Sequence, residues 1–164
     1  MMRHDETGRD RLGTAMLERA RADARQEFGS FFLSRLLGFE ISHAEDRCSV
    51  VFEAVETLFN PQGTLHGGVL ATAMDIAMGH LLHRVDGAGA TLEMKLQYLA
   101  PVTGGGVRCE ASFLRRGRKI SFLQCLAMAG DGTAVAYATA TWKHLARRAQ
   151  FDTPAVATST GVER

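Results

Sequence analysis

Asp75 is the only acidic residue between Glu56 and Asp86, and it sits in an otherwise apolar run. A carboxylate beside apolar surface costs free energy unless it is paired or functional. Partial burial also raises its pKa, which suits base chemistry. The plainer reading is an Asp75 bonded to a nearby backbone group or lying at a helix surface, since structural groups occupy such places too. Nine residues upstream stands His66-Gly67-Gly68. Glycines there let a ligand approach the backbone. The free N–H groups of a helix start, with the positive end of its dipole, stabilise negative charge growing on an oxygen. His-Gly-Gly alone is a weak pattern, and an ordinary glycine-rich helix start reads the same way. Before it lies the loop Asn60-Pro61-Gln62-Gly63.

Other residues invite weaker readings. Arg115, Arg116, Arg118 and Lys119 cluster around Gly117. Arginine forks suit phosphate oxygens, but a basic turn also keeps a sheet end soluble. His80 and His83 do not form a convincing metal triad with Asp75, so core-edge or interface histidines are expected and no metal site. Trp142 and Tyr137 are expected to pack the last strand. No Gly-x-Ser-x-Gly elbow occurs, which disfavours an α/β-hydrolase.

The elements that must position these residues follow from pattern. A helix is expected from about Gly13 to Phe28, with Met16, Leu17 and Ala20 on one side and residues 1–13 frayed. A short helical piece follows over Ser30–Leu37, stopped at Gly38. Phe39–His43 and Arg47–Val55 read as paired strands. The strongest helix runs from about His66 to Val85. Leu70, Ala73, Met74, Ala77 and Leu81 keep the 3.6-residue period on it, and Gly68, Thr72, Asp75 and Gly79 form a second stripe of small residues. Four strands follow: Ala90–Leu99, Val107–Arg115, Lys119–Ala129 and Thr133–His144, joined by glycine-rich turns. Successive hairpins imply an antiparallel sheet. A helix apolar nearly all round must be covered on most sides. An α+β fold, a curved sheet wrapped around a central helix, meets both demands.

The totals suit one domain: 164 residues, 46% apolar, 23% charged and a net charge of +1. Nothing points to wholesale binding of nucleic acid or an anionic membrane. The first 26 residues lack the apolar core of a signal peptide. Three cysteines, Cys48, Cys109 and Cys125, with no Cys-x-x-Cys pair, argue against a disulfide framework and for a reduced, cytoplasmic setting.

Asn60, then His66-Gly67-Gly68 six residues on, then Asp75 after nine more, together resemble the hotdog-fold thioesterases, in particular the phenylacetate-degradation-type (PaaI-like) subgroup. The run Ala90-Thr91-Leu92-Glu93-Met94-Lys95-Leu96-Gln97-Tyr98-Leu99-Ala100-Pro101 and the turn Arg116-Gly117-Arg118-Lys119 are similar too. The likeness covers about Gly38 to His144. It implies a hotdog domain over 29–145, an N-terminal helical extension over 1–28 and a loose tail over 146–164. It implies hydrolysis of acyl- or aryl-CoA thioesters without metal or other cofactor, in a homodimer or homotetramer with sites between subunits. Asp75 matches the general base or nucleophile, and Gly67 the N–H that polarises the carbonyl. Asn60 matches the side chain that places carbonyl or water. His66 holds the loop, and Thr91 orients water near the acid. Gly68 would lie against substrate, and the hairpin of Arg116, Gly117, Arg118 and Lys119 would meet the nucleotide of CoA. Phe59, Leu65 and Met78 are acyl-pocket candidates. Two other readings stand beside this one: a hotdog hydratase or dehydratase, and a non-catalytic acyl-CoA-binding module.

Overall fold

The computed structural model describes residues 6–145. The expected tail over 146–164 lies outside them. Helix α1 spans Glu6–Asp23 and a short α2 spans Phe32–Leu36. Strands β1 (Glu40–Ala44) and β2 (Arg47–Ala54) lead through a single 3-10 turn at Glu56–Leu58 into helix α3 (Gly67–Asp86). Strands β3 (Gly89–Tyr98), β4 (Gly105–Arg115), β5 (Ile120–Ala129) and β6 (Ala134–His144) complete the chain.

The six strands form one antiparallel sheet in the order β1-β2-β4-β5-β6-β3. α3 lies across it and touches β2 through β6. Its periodic residues Ala73, Met74, Ala77 and Leu81 are fully buried and Leu70 nearly so. They pack on Val50, Val107, Cys109, Leu123 and Cys125 of the sheet. All three cysteines are buried and free. Burial pushes the Cys48 thiol up to about 12, and a hydrogen bond with Cys109 together with burial drives Cys125 upward, so neither is a ready nucleophile.

The N-terminus departs from expectation at both ends of α1. Residues from Glu6 are helical rather than frayed, because Met16 and Ala20 are buried and anchor the helix, and extending an anchored helix is easy. The Thr57 hydroxyl donates to the Met16 sulfur at 3.2 Å, tying α1 to the 3-10 turn. α1 then stops at Asp23, five residues short of Phe28. The next segment closes on itself instead: Arg25 N–H donates to the Ser30 carbonyl at 2.8 Å and Ser30 N–H to the Glu27 carbonyl at 3.2 Å.

Strand β3 lies at one edge of the sheet and, among the described residues, pairs only with β6. Its register shifts between Thr91 and Glu93. Below the shift, Met94 and Leu96 pack on the core, as even-numbered residues should. Above it, Gly89 faces α3 closely enough that a Cβ would stand 2.2 Å from a Leu82 methyl. The bulge leaves Leu92 57% exposed and turns odd-numbered residues inward. Thr91 thereby faces α3.

Candidate active site

The loop before α3 is built by Asn60. Its Oδ1 accepts from the backbone N–H of Gln62 at 2.9 Å and of Thr64 at 3.3 Å, and its Nδ2 donates to Thr64 Oγ1 at 3.0 Å. Such a self-bonded Asn fixes a turn. The chain leaving it is pinned: Leu65 N–H donates to Val102 O at 2.8 Å and His66 N–H to Leu58 O at 2.9 Å. His66 is the N-cap of α3, and its Nδ1 accepts from Gly68 N–H at 2.9 Å. Val69 N–H goes to the His66 carbonyl at 2.9 Å. Gly67 N–H has no acceptor among the described residues. Capping therefore leaves one donor of the first turn, at the positive end of a 20-residue helix, for another group.

Tyr98, quoted in the sequence only as part of a strand, completes this corner. Its hydroxyl donates to the Gly67 carbonyl at 2.7 Å. A Cβ on Gly67 would meet the Tyr98 ring and hydroxyl at 2.8 Å, so only glycine lets strand and helix approach this closely. Asn60, Leu65, Gly67, Tyr98 and Pro101 line one cleft of about 390 Å³.

Asp75 belongs to a different cleft. Two turns further along α3 it accepts from the Thr91 hydroxyl at 2.8 Å. Burial holds its carboxyl above the usual carboxylate range, and the Thr91 bond partly offsets this. It shares a cleft of about 310 Å³ with Ile76, Gly79, His80 and Trp142, and with Phe28 and Phe31 of the N-terminal segment. Eight residues of helix rise separate Asp75 from Gly67, about 12 Å. The fold thus brings together Asn60, His66, Gly67 and Gly68, and separately Asp75 with Thr91, but does not bring the two groups together within one chain.

The basic hairpin divides as well. Arg116 grips Asp86 at the end of α3 through two bonds, Nη2 to Oδ1 at 2.6 Å and Nε to Oδ2 at 3.2 Å. Its guanidinium also lies 5.4 Å from the centre of the Phe113 ring. Arg116 thus anchors the hairpin, leaving Arg115, Arg118 and Lys119 as the exposed cations around Gly117. A Cβ on Gly117 would stand 2.2 Å from the Ile120 carbonyl oxygen, which makes glycine necessary for so tight a turn. Its N–H donates to the buried Ser121 hydroxyl at 3.3 Å.

The weaker candidates fall in several places. Met78 is fully buried under α3 and Leu65 lies in the Gly67 cleft, so neither lines the cleft beside Asp75. Phe59 pairs with Leu65 in an isolated bridge. Trp142 packs on the core as expected and also walls the Asp75 cleft. Gly68 already spends its N–H on His66. His80 is buried and bonded to the Ile76 carbonyl at 2.9 Å, and among the described residues no three His, Cys, Asp or Glu side chains converge as a metal site. No described helix is long and apolar enough to cross a membrane.

Comparison with known proteins bears on the family and the fold. Residues 62–136 match the family model described as the thioesterase superfamily. A conserved protein of Pseudomonas aeruginosa is 31% identical, with a TM-score of 0.65 over 69% of this chain and 93% of its own. The medium/long-chain acyl-CoA thioesterase YigI of Salmonella typhimurium is 31% identical over 49% of this chain and 63% of its own length. The PaaI protein of the Escherichia coli phenylacetic acid degradation operon is 16% identical, and its TM-score of 0.70, over 80% of this chain and 96% of its own, speaks for the fold. The match in sequence, the six-stranded antiparallel sheet and the helix it wraps lead to one conclusion: the chain belongs to the thioesterase superfamily and is a hotdog-fold enzyme of the thioesterase class.

Proposed function

We propose that the enzyme hydrolyses acyl-CoA and aryl-CoA thioesters to the free acid and CoA, at sites made by two copies of the chain. The observation that carries this reading is the half-buried Asp75 carboxylate, held by Thr91 at the wall of a cleft that one acyl group could fill. Thioester hydrolysis needs an activated water, or a nucleophile in its place, and a donor for the carbonyl oxygen as it gains charge. Asp75 supplies the first. Gly67 N–H, left over after capping, supplies the second. About 12 Å of helix keeps them from serving one carbon within a chain. The edge strand β3, open on one side among the described residues, offers its backbone to the β3 of a second copy. Such a pair, alone or doubled to a tetramer, can set Gly67 of one copy opposite Asp75 of the other. Arg118 and Lys119, with the exposed Arg115 beside them, are the cations that remain to meet the phosphates of CoA.

His66 bears on the hydratase alternative. Its Nδ1 caps Gly68, which leaves it poorly placed to act as that reaction's base.

The test is turnover of a panel of aliphatic and aromatic CoA thioesters, followed by release of free thiol, with Asp75→Asn and Asp75→Ala beside the parent enzyme. Turnover undiminished in both variants overturns the role of Asp75. Tight binding of CoA esters by the parent enzyme with no thiol released would mark it as a binding module instead. In single-turnover hydrolysis in ¹⁸O-water, label found in the Asp75 carboxylate identifies the nucleophilic route. A general base delivers the label straight to the product acid. A nucleophilic Asp75 forms an anhydride as CoA thiolate leaves, and the label then enters Asp75 or the acid according to which carbonyl water attacks.

A further inference from the structure

The N-terminal segment between α1 and α2 lies outside the region that resembles the family, yet it forms one wall of the Asp75 cleft. Gln26, Glu27, Phe28 and Phe31 line it together with Ile76, Gly79 and His80 of α3 and Trp142 of β6. The segment is seated by ring contacts. Phe28 stacks on His83, with centroids 3.5 Å apart and planes at 2°, and meets His80 edge-on at 5.1 Å. Phe31 lies 6.1 Å from the same imidazole. Phe28 is still 55% exposed, so α3 covers only part of the ring. On the opposite side α3 packs directly against Trp142. A Cβ on Gly79 would stand 2.8 Å from the edge of the Trp142 indole, so the helix passes the ring with no room for a methyl.

We infer that Phe28 and Phe31 are the specificity-determining end wall of the acyl pocket, setting the length of acyl group that can extend from Asp75. This rests on the thioesterase reading above. The wall is apolar at Phe28 and Phe31, with the carboxylate of Glu27 beside them. Burial lowers the pKa of His80, which keeps its imidazole neutral. The titratable and charged neighbours facing it are His43 and His83, and Arg84 acts on His43. Neutral acyl groups are therefore preferred, and Asp75 and Glu27 on the same cleft disfavour acyl chains that end in a carboxylate. A volume of about 310 Å³ is near the lower end of ligand pockets, which suits one ring or a chain of modest length.

The experiment compares kcat and KM for straight-chain acyl-CoA esters of increasing length and for phenylacetyl-CoA. The proteins are the parent enzyme, Phe28→Ala, Phe31→Ala, the double variant and the conservative Phe28→Leu. The result expected is a kcat/KM that changes with acyl length rather than uniformly. For esters longer than the parent optimum it should rise about tenfold, mainly through KM, with Phe28→Leu staying close to the parent profile. Thermal unfolding of each variant reports whether the segment still packs. Length profiles that stay parallel to the parent's, in variants that melt as single folded species, overturn the inference while leaving the thioesterase reading intact. Absence of thiol release by the parent enzyme removes that reading itself.

Discussion

The two ends of the proposed chemistry sit on one helix and are made in opposite ways. At the start of α3 the functional group is a backbone N–H, and every neighbouring side chain is committed to holding it: Asn60 to its loop, His66 to Gly68, Tyr98 to Gly67. Two turns on, the functional group is a side chain, and its surroundings hold it through one hydroxyl and apolar walls. The contrast follows from what each must do. A hydrogen-bond donor to a growing charge serves best when it is fixed beforehand and needs no proton change. A base must titrate near the working pH, so it needs burial to raise its pKa and few bonds that would lower it.

The contrast can be broken most sharply at Asp75. Asp75→Asn should lower kcat about 10²–10⁴-fold, the range for loss of a positioned acid or base. The same change should leave thermal stability equal or higher at neutral pH. Burial raises the native pKa of Asp75 above the value of about 3.9 in an unfolded chain. Its contribution to stability is thus fully present below the unfolded value and lost as pH rises through the native one. The variant's gain in melting temperature should therefore shrink as the pH is lowered. A gain that grows toward acid pH would contradict the assignment of burial as the cause.

Gly67→Ala attacks the fixed end. The N–H remains, but the new methyl collides with Tyr98 and displaces the helix start. Loss of kcat of up to about 10²–10³-fold is expected, as for loss of one oxyanion donor, with the acid limb of the pH profile unmoved. A shifted acid limb would mean that the two ends are not separable. Thr91→Val attacks the titrating end more gently. It removes the one hydrogen bond that lowers the Asp75 pKa, so the acid limb of kcat/KM should move to higher pH, with about a tenfold loss on that limb. The hairpin gives the smallest effects. Arg118→Ala with Lys119→Ala should raise KM about two- to fivefold and blunt its dependence on salt. Arg116→Ala should instead lower the melting temperature slightly, since its guanidinium is engaged with Asp86.

The parts legible in the sequence were those written in local pattern. The period of Leu70, Ala73, Met74, Ala77 and Leu81 marked the buried face of α3, and each strand appears within a residue or two of its expected place. The spacing of Asn60, His66, Gly67 and Asp75 named the candidate site. What stayed hidden depends on contacts between residues far apart in the chain. The bulge at Leu92 reverses which residues of β3 face α3, and period-two alternation can show only that the pattern is broken there. Tyr98 reads as one more strand residue until β3 is laid beside Gly67. Arg116 reads as one more cation until its hairpin meets the end of α3. Phe28 reads as the last turn of a helix until it stacks on His83, 55 positions further along the chain.

That the two ends of α3 serve one reaction only when two copies meet is the central claim, and mixed dimers test it directly. Asp75→Asn and Gly67→Ala, each nearly inactive alone, are unfolded, mixed in equal amounts and refolded, with exchange of chains verified by mass. If the ends act in trans, each mixed dimer holds one site with Asp75 and Gly67 both intact, and activity should return to about a quarter of the parent value, as random pairing across a two-fold interface requires. Exchanged dimers that recover no activity above the two variants alone would contradict the account.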